Sequence, residues 1–370
     1  MTTGKQSNKS KDNSVNQKTI RTTILNTIQV HILHIHHLSS HYSLIIITIP
    51  QMASHQLINH SLINAQILPD SHPLPKSIDS HPNTTMNTSF SSNDTIANQL
   101  LQQLPWWQRL LIRLYHATCQ NRKSSLPSIR QCQSIKHIAF IMDGNRRFAR
   151  QKRMTSVLDG HKEGQKALER VLHWCLAFGI TDITVYAFSQ DNFKRDETEV
   201  DGLMAMAMAA FTRYSQDSQM FHRYGIRLKA CGRLELLPEA VRSACQQVMQ
   251  ATAHHKNATV NVCLAYSGAE EMKDVLAGQQ PFVPLDPPVD LLVRTSGEHR
   301  LSDFLPLHLS AGRRDEDSRG EPESQVHKKR HGLLMFIRVL WPEIGFWSIW
   351  MAIMVWRIFS SMSKSSKKQA

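Results

Sequence analysis

The chain has 370 residues, so it is long enough for one large domain with extensions or for two domains. Of these residues, 41% are hydrophobic and 20% are charged. Its formal net charge of +13 favours an anionic partner, whether phosphate, lipid headgroup or nucleic acid. No stretch reaches the roughly 20 consecutive apolar residues that span a bilayer. The six cysteines show no CxxC spacing, which favours reduced, mostly buried thiols in a cytosol-facing protein.

Residues 1–97 differ in composition from the rest of the chain. They are rich in serine, asparagine, histidine, threonine and isoleucine and carry little charge, so we expect a disordered N-terminal extension. The histidine-rich run from His31 to His37 has the composition of a metal site. No acidic or cysteine partner lies near it in the sequence, and biased composition explains it better.

Residues 98–134 begin with a helical stripe of apolar residues and end in a polar, basic linker. The stripe runs from Asn98 to Tyr115 and includes two neighbouring tryptophans, Trp106 and Trp107, with arginines beside it. This pattern fits two placements of the helix equally well, one on a membrane surface and the other packed on its own domain.

From residue 135 onwards the pattern predicts alternating strands and helices. The apolar run Ile138–Met142 predicts a buried strand, and the turn Asp143-Gly144-Asn145 leads from it into a helix. Helical spacing over Gly164–Phe178 ends at Gly179, and Ile183–Phe188 predicts the next strand. A strand, a helix and a second strand form a βαβ unit, so we expect a parallel sheet whose functional residues gather at the carboxyl ends of its strands.

The same alternation continues to residue 359. It predicts a single α/β domain over 135–359, with a mostly parallel central sheet flanked by helices. The further predicted helices are Glu199–Tyr214 and Leu237–Ala253, and the further predicted strands are Ile226–Cys231, Val260–Tyr266 and Asp290–Arg294.

The first predicted strand end has the composition of a phosphate site. The main-chain N–H groups of Gly144, Asn145, Arg146 and Arg147 converge at a helix N-terminus, where the helix dipole favours an anion. Asp143 adds a hard carboxylate oxygen, which suits Mg²⁺ carried on a diphosphate. The alternative is an ordinary turn followed by solvated arginines.

Polar segments follow two other predicted strands. One is Ser189–Arg195, which on composition alone is a polar loop. The other carries Arg294, Arg300 and Ser302, and arginine holds phosphate oxygens through paired, charge-assisted hydrogen bonds. By spacing alone this second segment is an ordinary basic loop.

Three strings at these strand ends resemble one known family. HIAFIMDGNRRFA resembles the signature of the cis-prenyltransferases, the family of undecaprenyl and dehydrodolichyl diphosphate synthases, and its paired arginines are most similar to the eukaryotic dehydrodolichyl type. TVYAFSQDNFKR and VRTSGEHRLSDF resemble the second and third segments of the same family, in the same order. The resemblance covers residues 135–305 and resumes over 333–359.

The resemblance implies a fold, a reaction and a cofactor. The implied fold is the cis-prenyltransferase fold with a hydrophobic product tunnel, one wall of which is the helix over Glu199–Tyr214. The implied reaction condenses farnesyl diphosphate with multiple isopentenyl diphosphates to a long-chain, dehydrodolichyl-type polyprenyl diphosphate, which serves dolichol synthesis and protein glycosylation. Mg²⁺ is the implied cofactor, with Asp143 as its ligand.

The resemblance also assigns roles to single residues. Catalytic roles fall on Asp143, Asn145, His161, Ser189 and Asn192. Arg294, Arg300 and Ser302 are implied to hold the diphosphate of isopentenyl diphosphate, with Arg195 shared between the two substrates. The full implied substrate-binding set is Gly144, Arg146, Arg147, Phe148, Phe193, Arg195, Arg294, Arg300 and Ser302.

Two regions depart from the family pattern. Residues 306–332 form a charged, disorder-prone insertion where the family has an apolar stretch, and residues 269–288 are shorter than in the family. These changes favour an alternative function, a catalytically impaired partner subunit. The retained Asp143 and the arginines of the three strings argue against it.

A smaller departure precedes His161. The family usually carries an arginine four positions before this histidine, and Val157 occupies that place here. Arg150, Lys152 and Arg153 are the candidates to compensate for it.

The C-terminal region bears on location and assembly. Phe346–Phe359 is strongly apolar but too short to span a bilayer, so we expect a core-packing helix whose outer face touches a membrane. The basic tail, 360–370, lacks the Arg-x-Gly ending of self-sufficient homodimeric members. This resembles catalytic subunits that pair with a Nogo-B receptor-type accessory subunit, with a homodimer as the alternative. We expect peripheral attachment to the cytosolic face of the endoplasmic reticulum membrane.

An unrelated phosphate-binding α/β protein is the remaining alternative. The chain has no P-loop GK[ST] string and no Gly-x-Gly-x-x-Gly turn, and its acidic and apolar helices leave no continuous basic face. We therefore expect no nucleic-acid partner.

Overall fold

The structure, a computed structural model, describes residues 29–35, 42–49, 99–120, 134–216, 219–311 and 332–365. The strands are β1 Gln29–Ile35, β2 Tyr42–Ile49, β3 His137–Ile141, β4 Asp182–Tyr186, β5 Ile226–Cys231, β6 Ala258–Cys263, β7 Leu291–Arg294 and β8 Leu333–Ile337. The helices are α1 Trp106–Gln120, α2 Asn145–Gln151, α3 Val157–Ala177, α4 Glu197–Gln216, α5 Gln219–Arg223, α6 Glu239–Ala251, α7 Gly268–Leu276, α8 Pro306–Ala311 and α9 Phe346–Ser365.

All the strands belong to one sheet, in the order β1-β2-β8-β7-β3-β4-β6-β5. Neighbours from β2 to β5 are parallel, and β1 pairs antiparallel with β2. The central strands β3 and β7 have the sequences HIAFI and LLVR and are buried along their whole length, because helices cover both faces of the sheet. The predicted α/β domain with a mostly parallel central sheet is confirmed.

The strand order reverses direction at β3. The chain passes from β3 to β4 on one side, whereas β7 pairs with the other side of β3 and leads on to β8. In open parallel sheets, ligands bind outside the carboxyl ends of the strands at such a reversal. Ile141 at the end of β3 is in register with Arg294 at the end of β7, so the segments that follow these residues share one edge.

The helix α3 begins seven residues before the predicted start at Gly164, because a capping box stabilises its first turn. The side chain of Ser156 accepts a hydrogen bond from the Leu158 N–H, and the carboxylate of Asp159 accepts one from the Ser156 N–H. The helix ends before Gly179, whose φ of 79° is the left-handed conformation predicted for a helix C-terminus.

Two strands lie in the extension for which we expected disorder. β2 has the sequence YSLIIITI, whose β-branched residues favour an extended backbone, and it lengthens the sheet by pairing with β8. His31 falls in β1, whereas His37 lies outside the described residues. The expectation of disorder for the rest of 1–97 also lies outside the described residues, as do residues 121–133 of the predicted polar, basic linker.

Residues 306–311, the first part of the insertion predicted over 306–332, form α8. This helix is anchored because the buried His308 hydrogen-bonds through Nε2 to the Val283 carbonyl at 2.8 Å. Residues 312–331 and the end of the basic tail, 366–370, lie outside the described residues.

The helix α1 has one buried and one exposed apolar face. Ile112 and Tyr115 are buried in the domain core, as one of the two predicted alternatives requires. Trp106, Leu110 and Leu114 remain 70%, 51% and 53% exposed, so an outward apolar stripe also exists.

The helix α9 packs beside α1. The ring of its Trp347 stacks on Trp107, with 5.6 Å between ring centroids, and Ile349 and Ile353 are fully buried. The predicted core-packing role of this helix is confirmed. Within the described ranges, we find no helix that combines the length and the apolar character needed to cross a membrane.

The helices α2 and α3 cross at main-chain contact distance. A Cβ atom on Gly160 would lie 2.3 Å from the carbonyl oxygen of Asn145 and 2.9 Å from the Cβ of Ala149. This close approach fixes Asn145, the first residue of α2, against α3.

Replacing Gly160 with alanine should therefore lower the free energy of unfolding by about 2 kcal/mol, because overpacking outweighs a gain of roughly 1 kcal/mol in helix propensity. Urea unfolding followed by circular dichroism measures the change. Gly345→Ala is the matched control, since no atom lies within 4 Å of a Cβ placed there. Equal stability of Gly160→Ala and the parent chain would contradict the contact.

Candidate active site

The ends of β3 and β7 meet through a direct ion pair. The Nη2 atom of Arg294 donates a hydrogen bond to Oδ2 of Asp143 at 2.8 Å. The Arg294 side chain is only 4% exposed, whereas that of Asp143 is 33% exposed. Two strings that lie 151 residues apart in the sequence therefore form one site, as their positions after parallel strands predicted.

The main chain of Asp143 is fixed from two sides. Its N–H donates to Oγ1 of Thr295 at 3.0 Å, and the same hydroxyl donates back to its carbonyl at 2.7 Å. The N–H of Trp341 donates to that carbonyl at 3.1 Å. Sequence reasoning missed Thr295 and Trp341, because both act through main-chain atoms of a distant residue.

Gly144 makes the turn between β3 and α2. Its φ of 108° is left-handed, and a Cβ atom there would lie 2.9 Å from Cδ2 of Leu340. Glycine is thus required both by the backbone angle and by the contact, and the predicted turn followed by a helix N-terminus is confirmed.

A pocket of about 250 Å³ opens at this edge of the sheet. It contains six consecutive residues of the first predicted string together with three residues from outside that string, and its wall is strongly cationic. The lining residues are Met142, Asp143, Gly144, Asn145, Arg146, Arg147, Arg150, His161 and Arg195.

Glu199 holds three of the basic residues at the pocket. One carboxylate oxygen lies 2.9 Å from Nη1 of Arg195 and 3.7 Å from Nε2 of His161, and the other lies 3.7 Å from Nη1 of Arg146. Sequence reasoning used Glu199 only as the start of a helix. Its spacing of four residues from Arg195 was the available signal, since such a pair shares one helix face.

His161 faces the pocket as a neutral imidazole. Burial lowers its pKa to about 4, the positive charge of Arg195 acts in the same direction, and Glu199 opposes them. Its Nε2 atom is buried and has no hydrogen-bond partner among the described residues. A neutral ring with an unsatisfied nitrogen is suited to a hydrogen bond with a ligand.

The loop after β7 is organised by Arg294. Its Nη1 donates to Oγ of Ser302 at 2.7 Å and to the carbonyl of Arg300 at 2.6 Å. Its Nε is buried and, among the described residues, finds no acceptor. Arg294 and Ser302 thus meet as predicted, whereas the guanidinium of Arg300 turns outward to Glu298.

Two acidic residues stabilise this loop. Asp303 accepts hydrogen bonds from Oγ of Ser267 at 2.6 Å and from the N–H of Ala269 at 2.9 Å, which ties the loop to the start of α7. Glu298 lies 3.4 Å from Nη2 of Arg147, so it links the loop to the first string.

The segment after β4 lies beside the pocket but supplies only Arg195 to its lining. The N–H of Ser189 donates to Oδ1 of Asn192 at 3.2 Å, which closes a short 3-10 turn. The ring of Phe193 packs against Phe188, with 4.9 Å between centroids. Phe148 is buried in the core. The predicted roles of Phe148, Ser189, Asn192 and Phe193 stay predictions.

The donor set at Asp143 fits a metal that arrives with a phosphate ligand. Among the described residues, no cluster of three or more histidine, cysteine, aspartate or glutamate side chains is arranged to hold a metal ion. Mg²⁺, however, is usually bound by one or two carboxylates, with substrate phosphates and waters completing the octahedron. A single half-exposed carboxylate beside a cationic pocket meets that requirement.

The fold and the site define an α/β protein with a cationic pocket at the carboxyl ends of its parallel strands, and comparison with known proteins identifies the family. Residues 141–313 match the family model described as putative undecaprenyl diphosphate synthase. A human dehydrodolichyl diphosphate synthase complex subunit is 36% identical over 253 residues, covering 63% of this chain and 70% of that protein. The corresponding Schizosaccharomyces pombe subunit is 33% identical, covering 60% of this chain and 84% of that protein.

An archaeal relative is similar over the same region. A tritrans,polycis-undecaprenyl-diphosphate synthase (geranylgeranyl-diphosphate specific) of Pyrococcus horikoshii is 41% identical over 191 residues, covering 46% of this chain and 72% of that protein. The chain belongs to the cis-prenyltransferase family and is a cis-prenyltransferase enzyme. The predicted family and the predicted cis-prenyl chain elongation are confirmed.

Replacing Glu199 with glutamine keeps the size of the side chain and removes its charge. We expect the free energy of unfolding to fall by about 2 kcal/mol, because two guanidinium groups lose their shared carboxylate. Inorganic diphosphate supplies negative charge to the same pocket, so it should raise the melting temperature of the variant more than that of the parent chain. Thermal unfolding with and without diphosphate measures both effects.

Glu163→Gln is the control for this prediction, since the side chain of Glu163 is 38% exposed and pairs only with Lys166 among the described residues. It should melt like the parent chain. An unchanged melting temperature for Glu199→Gln, or an equal response of both variants to diphosphate, would show that Glu199 does not hold the pocket together.

Proposed function

We propose that this enzyme condenses farnesyl diphosphate with successive isopentenyl diphosphates to a dehydrodolichyl-type polyprenyl diphosphate, which serves dolichol synthesis and protein glycosylation. The observation that carries the proposal is the contact between Asp143 and Arg294, since it joins two diphosphate-binding segments at one edge of the sheet. Relatives whose names specify dehydrodolichyl diphosphate synthase support the product class.

In this proposal the pocket binds the diphosphate of the allylic substrate. The N–H groups at the start of α2 and the guanidinium groups of Arg146, Arg147 and Arg195 hydrogen-bond its oxygens. Asp143 would hold Mg²⁺ carried by the same diphosphate, and the metal would supply electrostatic stabilisation of negative charge on the diphosphate leaving group. Neutral His161 donates or accepts one further hydrogen bond.

The second diphosphate binds beside the first. Arg294 with its free Nε, Arg300 and Ser302 hold isopentenyl diphosphate, and Arg195 lies between the two sites. Fixing both substrates at neighbouring strand ends lowers the entropic part of the barrier to carbon–carbon bond formation. Ser189, Asn145 and Asn192 orient the groups around the reacting carbons.

The growing chain is proposed to lie along α4. This helix starts beside the pocket with Glu199 and continues through alanines and methionines, whose small or flexible side chains suit an apolar tunnel wall.

Assembly with a second subunit is part of the proposal. The human and yeast relatives are named as subunits of a complex. We propose a Nogo-B receptor-type accessory subunit as the partner, with a homodimer as the alternative. A catalytically impaired subunit is not favoured, because Asp143 and the pocket arginines are present and brought together.

Asp143→Ala tests the function directly. It should reduce polyprenyl synthesis at least about 1,000-fold, because both the metal ligand and the partner of Arg294 are lost. The assay uses farnesyl diphosphate, radiolabelled isopentenyl diphosphate and Mg²⁺, with and without an accessory subunit, and circular dichroism checks the fold. Glu163→Ala, on an exposed helix face, should retain full synthesis. Undiminished product from Asp143→Ala, or none from the parent chain with either subunit composition, would refute the proposal.

We further propose peripheral attachment to the cytosolic face of the endoplasmic reticulum membrane. Trp106, Leu110 and Leu114 form an exposed stripe on α1, and Trp347 on the adjacent α9 is 41% exposed. Exposed aromatic and aliphatic side chains of this kind bind at the lipid headgroup boundary.

Replacing Leu110 and Leu114 together with serine should weaken cosedimentation with phospholipid vesicles about tenfold, since each leucine loses part of its burial in lipid. Leu276→Ser is the control, because Leu276 is a still more exposed leucine that lies on α7. Equal binding of the double variant and the control would argue against this face.

A further inference from the structure

Arg150 lies on the wall of the pocket but outside the set of residues predicted to bind substrate. It is the penultimate residue of α2, four positions after Arg146, so the two side chains share one face of the helix. The pocket lining confirms this arrangement, since both residues contribute to it.

No carboxylate among the described residues neutralises the charge of Arg150. Arg146 and Arg195 pair with Glu199, and Arg147 pairs with Glu298. Arg150 forms no ion pair and no side-chain hydrogen bond with any of the described residues, and a guanidinium in that condition is available to an anion without exchanging a partner.

The two other basic residues nearby are arranged differently. Lys152 pairs with Glu343 at 3.2 Å, and its ammonium lies 5.6 Å from the centre of the Phe148 ring. Arg153 has a left-handed φ of 50° and does not contribute to the pocket lining. Of the three residues suggested to compensate for Val157, Arg150 alone reaches the pocket within the described part of the chain.

We propose that Arg150 binds the outer phosphate of the allylic diphosphate. The assignment rests on the proposed function for the identity of the ligand, and on the pocket for its position. Four residues of α-helix advance about 6 Å along the axis, so Arg150 lies beyond Arg146 on the side away from Asp143. A diphosphate held by Arg146 in the pocket extends in that direction, and its second phosphate meets a guanidinium that pairs with none of the described residues.

A purely structural role for Arg150 would lead to a different result. A basic residue in the last turn of a helix stabilises the helix dipole. Lys152 lies at the same end of α2, carries the same charge and is bound elsewhere, so Lys152→Ala is a matched control for the loss of one positive charge.

Calorimetry on the full-length purified chain tests the inference with inorganic diphosphate and orthophosphate as probes. Arg150→Ala should bind diphosphate about tenfold more weakly than the parent, because a charge-assisted hydrogen bond is lost. Its affinity for orthophosphate should change less, and Lys152→Ala should bind both like the parent. Equal weakening by the two variants, unchanged diphosphate binding by Arg150→Ala, or equal loss for both anions would overturn the assignment.

Kinetics supply a second readout. Arg150→Ala should raise KM for farnesyl diphosphate about tenfold, with KM for isopentenyl diphosphate and kcat close to the parent values. A rise in KM for isopentenyl diphosphate instead would overturn the assignment. A parent chain that makes no polyprenyl product would refute the proposed function, while the calorimetric comparison would still decide whether Arg150 binds the outer phosphate.

Discussion

The ion pair between Asp143 and Arg294 depends on the order of the strands. Parallel pairing of β3 with β7 sets Ile141 opposite Arg294, so the carboxylate two residues beyond Ile141 reaches the guanidinium. A buried arginine without a counter-charge is strongly destabilising. The charge of Arg294 is balanced by Asp143, and its guanidinium also donates to the carbonyl of Arg300 and the hydroxyl of Ser302. These contacts also shape the loop after β7. One buried charge thus organises both halves of the site.

The same charge balance extends over the whole site. Asp143, Glu199 and Glu298 each hold one or more guanidinium groups that the proposed function gives to phosphate oxygens. These carboxylates keep the cationic groups close together while no anion is bound, since like charges at short range repel. In the proposed function, an entering diphosphate takes over these contacts. On this proposal, an arrangement complementary to two diphosphates is assembled at the cost of folding rather than of binding.

The sequence predicted those parts of the structure that depend on local patterns. Apolar runs gave the central strands, and the string Asp143-Gly144-Asn145 gave the turn and the helix that follows it. Glu199 was missed as a site residue although its spacing of four residues from Arg195 was a signal, because its contacts with His161 and Arg146 join distant parts of the chain. Thr295 was missed because its hydroxyl bonds main-chain atoms of a distant residue, for which a single sequence holds no signal. Arg150 was one of three equivalent candidates, since only the orientation of α2 decides which basic residue faces the pocket. The capping box of α3 was readable from Ser156 and Asp159 but was not used.

The segment that follows the charged insertion is an integral part of the site. The main-chain N–H of Trp341 donates to the Asp143 carbonyl, and the indole Nε1 of the same residue donates to the Gly164 carbonyl at 2.8 Å. One residue thus links the turn at Asp143 to α3. Leu340 lies against Gly144, and together with the left-handed φ of 108° this contact favours glycine at the turn. Because these contacts come from the loop after β8 and the 3-10 turn Trp341–Glu343 that follows, departure from the family pattern over 306–332 does not remove the support of the pocket. The Asp143 turn keeps its geometry for as long as this later segment remains packed beneath it.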